Sequence, residues 1–217
     1  QKGYPPVRPV FWGASDEPAV WGVEDAFFLG DALLVCPIVE EGGRMPTAEL
    51  RSTRQVTLPK GRWYNFWDDA VIEGEQQVSL EAPLERIPLL VRAGSMIPME
   101  QGKQLILHIY LPVEGSSISS LYSDANDGYG ESRLDKFRIV RSQNNLEITW
   151  EEQGDYPFPY AGVKLHLHGM KLQQAWVDDA EVACQEQIIE CDRLTACAPR
   201  NRFHKLRIQG EFADILP

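Results

Sequence analysis

The residues best suited to metal chemistry are two histidines in a short alternating segment. Residues 165–168 read Leu-His-Leu-His, so a strand would place the imidazoles of His166 and His168 on one face. Such a pair can chelate a metal ion, but a zinc site also needs a third protein ligand, and the sequence supplies no obvious one. We therefore predict two histidines on a solvated strand face, with Leu165 and Leu167 facing the core.

A second candidate is the acidic turn at residues 124–128, Asp-Ala-Asn-Asp-Gly, whose pattern is similar to the start of a calcium-binding loop. An EF-hand loop requires glycine at its sixth position and a bidentate glutamate at its twelfth. Here Gly128 is the fifth residue, and Asp135 stands where the glutamate should be. The spacing favours a tight turn that uses Asp and Asn side chains, while a calcium site of another kind stays open.

Aromatic residues are concentrated in residues 62–67, Arg-Trp-Tyr-Asn-Phe-Trp. Such rings could stack against sugars, but on a strand Trp63 and Trp67 would face one way and Tyr64 and Phe66 the other. Aromatic side chains on both faces favour a buried hairpin over an exposed platform. Core packing is the prediction, with sugar binding as the alternative.

The remaining reactive residues form no recognisable active site. The four cysteines include no Cys-x-x-Cys pair, which argues against structural zinc, and Cys36 is predicted to be a buried free thiol. The 32 acidic side chains are so many that their number identifies no glycosidase pair. No Gly-x-Ser-x-Gly elbow, phosphate loop or dinucleotide fingerprint is present. We predict no catalytic, cofactor-binding or metal-binding residue in this chain, and no cofactor.

The composition is that of a globular protein of one or two domains. The chain has 217 residues, 43% of them hydrophobic, which excludes wholesale disorder. Its formal net charge of −11 argues against nucleic-acid partners, and no apolar run is long enough for a membrane helix. The first residues do not form a signal peptide, although the chain starts without Met and targeting information can lie upstream. Reduced thiols in the cytoplasm are the expectation.

Two apolar runs are expected to organise the first part of the chain. Residues 27–39 predict one strand buried on both faces, and residues 87–98 predict a second strand with a bend at Gly94. Residues 3–11 contain three prolines, which predicts an extended segment.

Beyond residue 98, short alternating segments separated by turn residues predict an antiparallel sandwich or barrel. The predicted strands are residues 105–111, 119–123, 136–140, 146–151, 163–168, 174–177, 188–191 and 204–209. We place a domain boundary at residues 99–103. The predicted fold is all-β, with two β-sandwich-like domains of mainly antiparallel strands at residues 1–100 and 101–217.

Four segments in order carry a resemblance to family 31 glycoside hydrolases. Residues 3–11 are similar to the G-x-P-V-x-R-P-L-F segment that follows the last barrel helix in that family, and residues 28–38 to its F-x-x-G-x-x-L-L-V-A-P-V strand. Residues 58–67 resemble its L-P-x-G-x-W-Y-D-F-W hairpin, and residues 87–98 its I-P-L-F-V-R-A-G-S-I-I-P strand. A looser similarity extends to residues 121–128.

The resemblance implies a C-terminal accessory region, formed by a proximal and a distal β-domain. The catalytic (β/α)8 barrel would lie upstream in the same polypeptide and hold both catalytic aspartates, so this chain alone is expected to be inactive. The parent would be a retaining α-glycosidase, most often an α-glucosidase, acting on α-linked oligosaccharides. A stand-alone carbohydrate-binding β-sandwich module is one alternative, and an interaction or scaffold protein is the other. Without its barrel, the fragment is expected to self-associate through residues 4–12.

Overall fold

A computed structural model of the protein describes residues 3–14, 16–39, 53–83, 85–126, 129–190 and 203–212. In these residues the regular elements are β-strands, apart from two short 3₁₀ turns at Val10–Gly13 and Pro18–Val20. The all-β prediction is therefore confirmed. No helix in this part of the chain has the length and apolarity needed to cross a membrane. The chain divides into two compact units, Gln1–Ala93 and Gly94–Pro217.

The described part of the first unit contains eight strands: β1 (Val7–Pro9), β2 (Phe27–Leu29), β3 (Leu33–Val35), β4 (Thr53–Thr57), β5 (Arg62–Asn65), β6 (Val71–Glu73), β7 (Gln77–Glu81) and β8 (Leu89–Arg92). Six of them form an antiparallel sheet in the order β1-β2-β3-β8-β5-β6, and β4 pairs with β7. Apolar side chains from both groups share one core, which includes Leu34, Val56, Trp63, Leu80 and Leu90. This sharing makes the unit sandwich-like.

The prediction of a single strand across residues 27–39 is wrong. The segment folds into an antiparallel hairpin in which Phe27 of β2 lies opposite Val35 of β3. Gly30 reverses the chain at a φ of 64°, where only glycine is free of a steric penalty, and its N–H donates to the carbonyl of Pro6 at 2.8 Å. The run is also not buried on both faces, because Leu29 is 44% exposed.

The second unit holds eleven described strands: β9 (Met96–Gln101), β10 (Gln104–Tyr110), β11 (Gly115–Asp124), β12 (Ser132–Ser142), β13 (Asn145–Gly154), β14 (Gly162–His168), β15 (Met170–Val177), β16 (Ala180–Val182), β17 (Cys184–Gln185), β18 (Ile188–Glu190) and β19 (Phe203–Phe212). One sheet has the order β17-β18-β14-β10-β9, and the other has the order β11-β12-β13-β19-β15-β16. The pairs are antiparallel except for β10 with β14, which is parallel. Every short strand predicted between residues 105 and 209 overlaps one of these, although Cys191 lies outside the described residues.

The core of the second unit is built by the period-two alternation of its strands. Leu107 on β10 and Leu165 on β14 come from the five-stranded sheet, and Ile139, Ile148 and Ile208 come from the six-stranded sheet. All belong to one buried cluster, so each sheet turns one apolar face toward a common interior. The predicted sandwich architecture is confirmed for this unit.

The prediction of one strand across residues 87–98 is wrong as well, although the predicted bend at Gly94 is confirmed. The segment forms β8 and β9, which belong to different sheets and are separated by a bend at Gly94, where φ is 81°. β9 then continues to Gln101 and pairs with β10, so residues 99–103 form a hairpin and not a linker. The division into domains at residues 1–100 and 101–217 stays a prediction. In the sequence, the first compact unit ends at Ala93 and the second begins at Gly94.

Candidate functional site

The first unit displays an aromatic surface near the start of the chain, formed by Tyr4, Val7, Phe11 and Trp12. These side chains are between 43% and 56% exposed, and the rings of Tyr4 and Trp12 meet edge to face with centroids 6.1 Å apart. Large apolar side chains exposed together are uncommon on monomeric proteins, where such patches mark interaction sites. We call these four residues the N-terminal aromatic surface.

The chain holds this surface in place through β1. Its alternation turns Val7 and Pro9 outward and Arg8 inward, and Arg8 lies opposite Phe28 in the register with β2. The Arg8 guanidinium bonds Asp31 at 2.6 Å and donates to the Gly30 carbonyl as well. A buried arginine bound to the hairpin turn thus fixes a segment whose prolines cannot complete a regular ladder.

A small cavity of about 60 Å³ opens beside this segment, lined by Arg8, Trp12, Phe28, Gly30, Asp31 and Arg92. Arg8 is 8% exposed, yet its Nε has no hydrogen-bond acceptor among the described residues. Arg92 lies 4.6 Å above the ring of Trp63, and its burial lowers its pKa against the opposing effects of Glu17 and Asp31. The cavity is therefore lined by two guanidinium groups and by the carboxylate that binds one of them.

The aromatic hairpin at residues 62–67 does not form a sugar-stacking platform. Trp63 and Tyr64 are buried, and the indole N–H of Trp63 donates to the Pro59 carbonyl at 3.0 Å. Phe66 is half-buried and Trp67 is exposed, and Arg86 lies 5.2 Å above the Trp67 ring. Core packing is confirmed for Trp63 and Tyr64.

In the second unit, the structure adds a histidine that the sequence analysis did not connect with His166 and His168. His108 on β10 lies directly opposite His166 in the parallel register with β14. The three imidazoles present nitrogen atoms that all lie within 4.8 Å of one another. His168 is only 5% exposed, so the prediction of a solvated face is wrong at that residue. The Leu-His-Ile alternation at residues 107–109 indicates that His108 lies on the outer face of a strand. The sequence does not show that this strand, β10, pairs with β14, which is distant in sequence.

The acidic turn does not gather ligands for calcium in the described residues. Asp124 accepts the backbone N–H of Asn126 at 3.0 Å, which forms the predicted local turn, and Asn126 adopts a φ of 59°. Asp135 is instead buried and binds Arg133 and the indole of Trp150. Asp127 and Gly128 lie outside the described residues.

Cys36 is a buried free thiol, as predicted. Burial raises its pKa to about 12, opposed by Arg54 and reinforced by Asp25, so it is a poor nucleophile. Cys184 is a half-buried free thiol, while Cys191 and Cys197 lie outside the described residues. The absence of catalytic residues from this chain stays a prediction.

Comparison with known proteins identifies the first unit. The family model described as the glycosyl hydrolase family 31 C-terminal domain matches residues 3–97, which include the N-terminal aromatic surface and all of β1 to β8. The chain belongs to glycosyl hydrolase family 31 through this domain. The resemblance drawn from the four sequence segments is confirmed.

Two curated relatives extend the family 31 similarity beyond that domain. The α-glucosidase of Saccharolobus solfataricus is 35% identical over 154 residues, which cover 70% of this chain and 17% of that protein. Neutral α-glucosidase C of Homo sapiens is 32% identical over 191 residues, which cover 80% of this chain and 20% of that protein. The family 31 chain thus spans about a fifth of the length of these relatives.

Solved structures show that the fold is shared with family 31 enzymes. A dextranase of Flavobacterium johnsoniae matches 95% of this chain with a TM-score of 0.74 at 18% identity, over 29% of its own length. An α-xylosidase of Xanthomonas citri matches 95% with a TM-score of 0.61 at 24% identity, over 21% of its own length. At such identities the match is evidence for the fold alone.

Proposed function

We propose that this chain is the C-terminal accessory region of a retaining α-glycosidase, most closely an α-glucosidase. Its proximal and distal β-domains would buttress an upstream catalytic (β/α)8 barrel of the same polypeptide. The observation that carries the proposal is the N-terminal aromatic surface, which lies inside the segment matched to the family 31 C-terminal domain. The curated relatives support it, since they are several times longer than this chain.

The aromatic surface has the character of a contact within one polypeptide. If a partner covers roughly 400 Å² of it, the gain is about 10 kcal/mol at about 25 cal/mol per Å². A separate partner must offset association costs of about 4–15 kcal/mol, whereas a tethered barrel avoids most of them.

The proposed division of labour places the reacting carboxylates upstream. A retaining mechanism uses two carboxyl groups about 5–5.5 Å apart, one as nucleophile and one as acid and base. This chain would contribute support, and the α-linked oligosaccharide would bind in the barrel. A cytoplasmic location stays a prediction, supported by the free thiols of Cys36 and Cys184.

The proposal is tested in the longer polypeptide that contains residues upstream of Gln1. We expect it to hydrolyse an aryl α-glucoside, and we expect the 217-residue chain alone to be inert. Turnover by the isolated chain that is lost on changing one of its own Asp or Glu residues would overturn the assignment.

The role of the aromatic surface is tested by the double substitution Phe11→Ser and Trp12→Ser. In the longer polypeptide we expect a lower Tm and faster thermal loss of activity, because the barrel contact is weakened. Ile118→Ser is the matched control, since Ile118 is 70% exposed and lies in the other unit. A double variant as stable as the control would contradict the buttressing role.

The same double variant tests self-association of the isolated chain. Light scattering at rising concentration should detect association of the wild type that the double variant reduces. Association that is unaffected by both substitutions, or a strictly monomeric wild type, would show that this surface does not drive it.

A further inference from the structure

The second unit places three histidines and a tyrosine on one face of its five-stranded sheet. In the parallel register of β10 and β14, His108 lies opposite His166, and Tyr110 lies opposite His168. Paired residues and residues two positions apart share a face, while Leu107 and Leu165 point into the core. The cluster therefore follows from the same alternation that builds the sandwich.

The imidazole rings are close enough to share one small cation. The Nδ1 of His108 and the Nε2 of His168 are 2.9 Å apart, and one nitrogen from each of the three rings lies within 4.8 Å of the others. His166 and His168 also stack with centroids 4.2 Å apart. Two ring nitrogens at 2.9 Å form a hydrogen bond when one neutral ring donates its N–H to the lone pair of the other, and a metal ion that replaces this proton would bind both lone pairs.

We propose that His108, His166 and His168 form a binding site for a divalent transition metal ion, with Zn²⁺ as its first candidate. Zinc binds imidazole nitrogen at about 2.0–2.1 Å, so a tetrahedral site needs nitrogens separated by ~3.4 Å. The one measured separation between two ring nitrogens is 2.9 Å, and the three donor nitrogens all lie within 4.8 Å of one another.

The donor set selects the class of metal. Imidazole suits zinc, copper and nickel, whereas calcium and magnesium require oxygen ligands, and within the described residues the cluster consists of histidines alone. Lys164, on the same face two positions before His166, pairs with Glu190 at 2.8 Å, so its charge is compensated. His108 and His166 are half-buried, which leaves the ion an approach and a fourth position for water.

Neighbouring side chains hold two of the rings in a suitable orientation. Gln187 places its Oε1 3.3 Å from the Nε2 of His166, so if that nitrogen donates to Gln187, the Nδ1 of the ring carries the lone pair. Tyr110 stacks on His168 at 4.1 Å with the rings 6° from parallel. A metal bound here would join β10 to β14 and so close a long loop of the chain.

Zinc binding to the metal-free 217-residue chain is measured by calorimetry after treatment with a chelator. We expect one Zn²⁺ per chain, and a loss of affinity of more than about 100-fold in His166→Gln and in His108→Gln. Gln187→Leu should weaken binding by about 10–100-fold, as the loss of a group that orients a ligand does. His204→Gln is the matched control, because His204 pairs with Asp178 at 2.7 Å outside the cluster and its loss should leave zinc binding unchanged.

Cobalt provides a second readout that does not depend on any variant folding. Co²⁺ bound by imidazole should show visible d–d bands without the thiolate charge-transfer band that a cysteine site would produce. Zinc should raise the Tm of the wild type and of His204→Gln but not of His166→Gln. A wild type that binds neither metal, a thiolate band, or affinity retained in both His108→Gln and His166→Gln would overturn the proposal.

Discussion

The most exacting prediction concerns Asp135 on β12, a carboxylate with no exposed surface. It accepts hydrogen bonds from Arg133 at 2.7 and 2.8 Å and from the indole N–H of Trp150 at 2.7 Å. Arg133 also binds Glu152 at 2.5 Å. Burial lowers the pKa of Arg133, but the two carboxylates together outweigh that effect and raise it. We expect Asp135→Ala to destabilise the second unit strongly.

The magnitude follows from what the substitution leaves behind. Removing one partner of a buried ion pair costs about 3–5 kcal/mol, because the other charge stays desolvated. Trp150 also loses its acceptor, which alone would cost about 1–3 kcal/mol. Arg133 keeps Glu152, and neighbouring effects are not additive. We therefore expect a total loss of about 3–5 kcal/mol and not the sum of both terms.

The assay is hydrogen exchange of the β12 and β13 amides at increasing urea, because global unfolding of two units need not be two-state. Glu147→Ala is the matched control: that carboxylate is 42% exposed and pairs with Lys205 at 2.8 Å, so its loss should cost about 0–1 kcal/mol. The double change Arg133→Met and Asp135→Leu should recover only part of the stability, because it removes the unpaired Arg133 charge but leaves the Trp150 indole N–H without its acceptor and Glu152 without its cation. A loss below about 1 kcal/mol in Asp135→Ala, or equal losses in the two alanine variants, would refute the reasoning.

Two further predictions concern the first unit. The pKa of Cys36 is raised from 9.0 to about 12, so between those values the unfolded chain loses the thiol proton and the folded chain keeps it. Stability from this group is complete below pH 9.0 and decreases as pH rises toward about 12, and Cys36→Ala should lack that part of the decrease in urea titrations. A Cβ at Gly74 would collide with the backbone carbonyl of Pro59, so Gly74→Ala should lower stability by about 1–3 kcal/mol. Gly22→Ala, with nothing within 4 Å, should change it by less than about 0.5 kcal/mol, and equal Tm values for the two glycine variants would contradict the clash.

Most strands of the second unit were predictable because they have one buried face, whereas the short strands β16 and β17 have no buried residue and were not predicted. Alternation of apolar and polar residues marks such strands locally, and all eight predicted segments overlap observed ones. The segment at residues 27–39 lacks that alternation, so its apolar content obscured the turn at Gly30. The single-strand prediction for residues 87–98 was wrong for the same reason, since a continuous apolar run does not show where β8 ends and β9 begins.

The sequence predicted only part of the histidine cluster, His166 and His168 but not His108, for a different reason. The i, i+2 spacing of His166 and His168 is a local property, and the sequence analysis used it. The contribution of His108 depends on the parallel pairing of β10 with β14. Three antiparallel strands, β11 to β13, separate those two in sequence, and no local pattern predicts which distant strands become neighbours. Nor does any local pattern predict that Arg8 binds Asp31.

The position of β19 has a consequence for how the chain is made in the cell. This strand is the last one described, yet it lies between β13 and β15 in the middle of its sheet. During synthesis β13 and β15 leave the ribosome first, and each exposes an unpaired backbone edge until residues 203–212 arrive. Synthesis proceeds at about 5–20 residues per second, so these edges stay open for seconds while other chains can pair with them. Nascent chains that stop before residue 203 should therefore depend on chaperones, which pull-down of stalled ribosomes would detect.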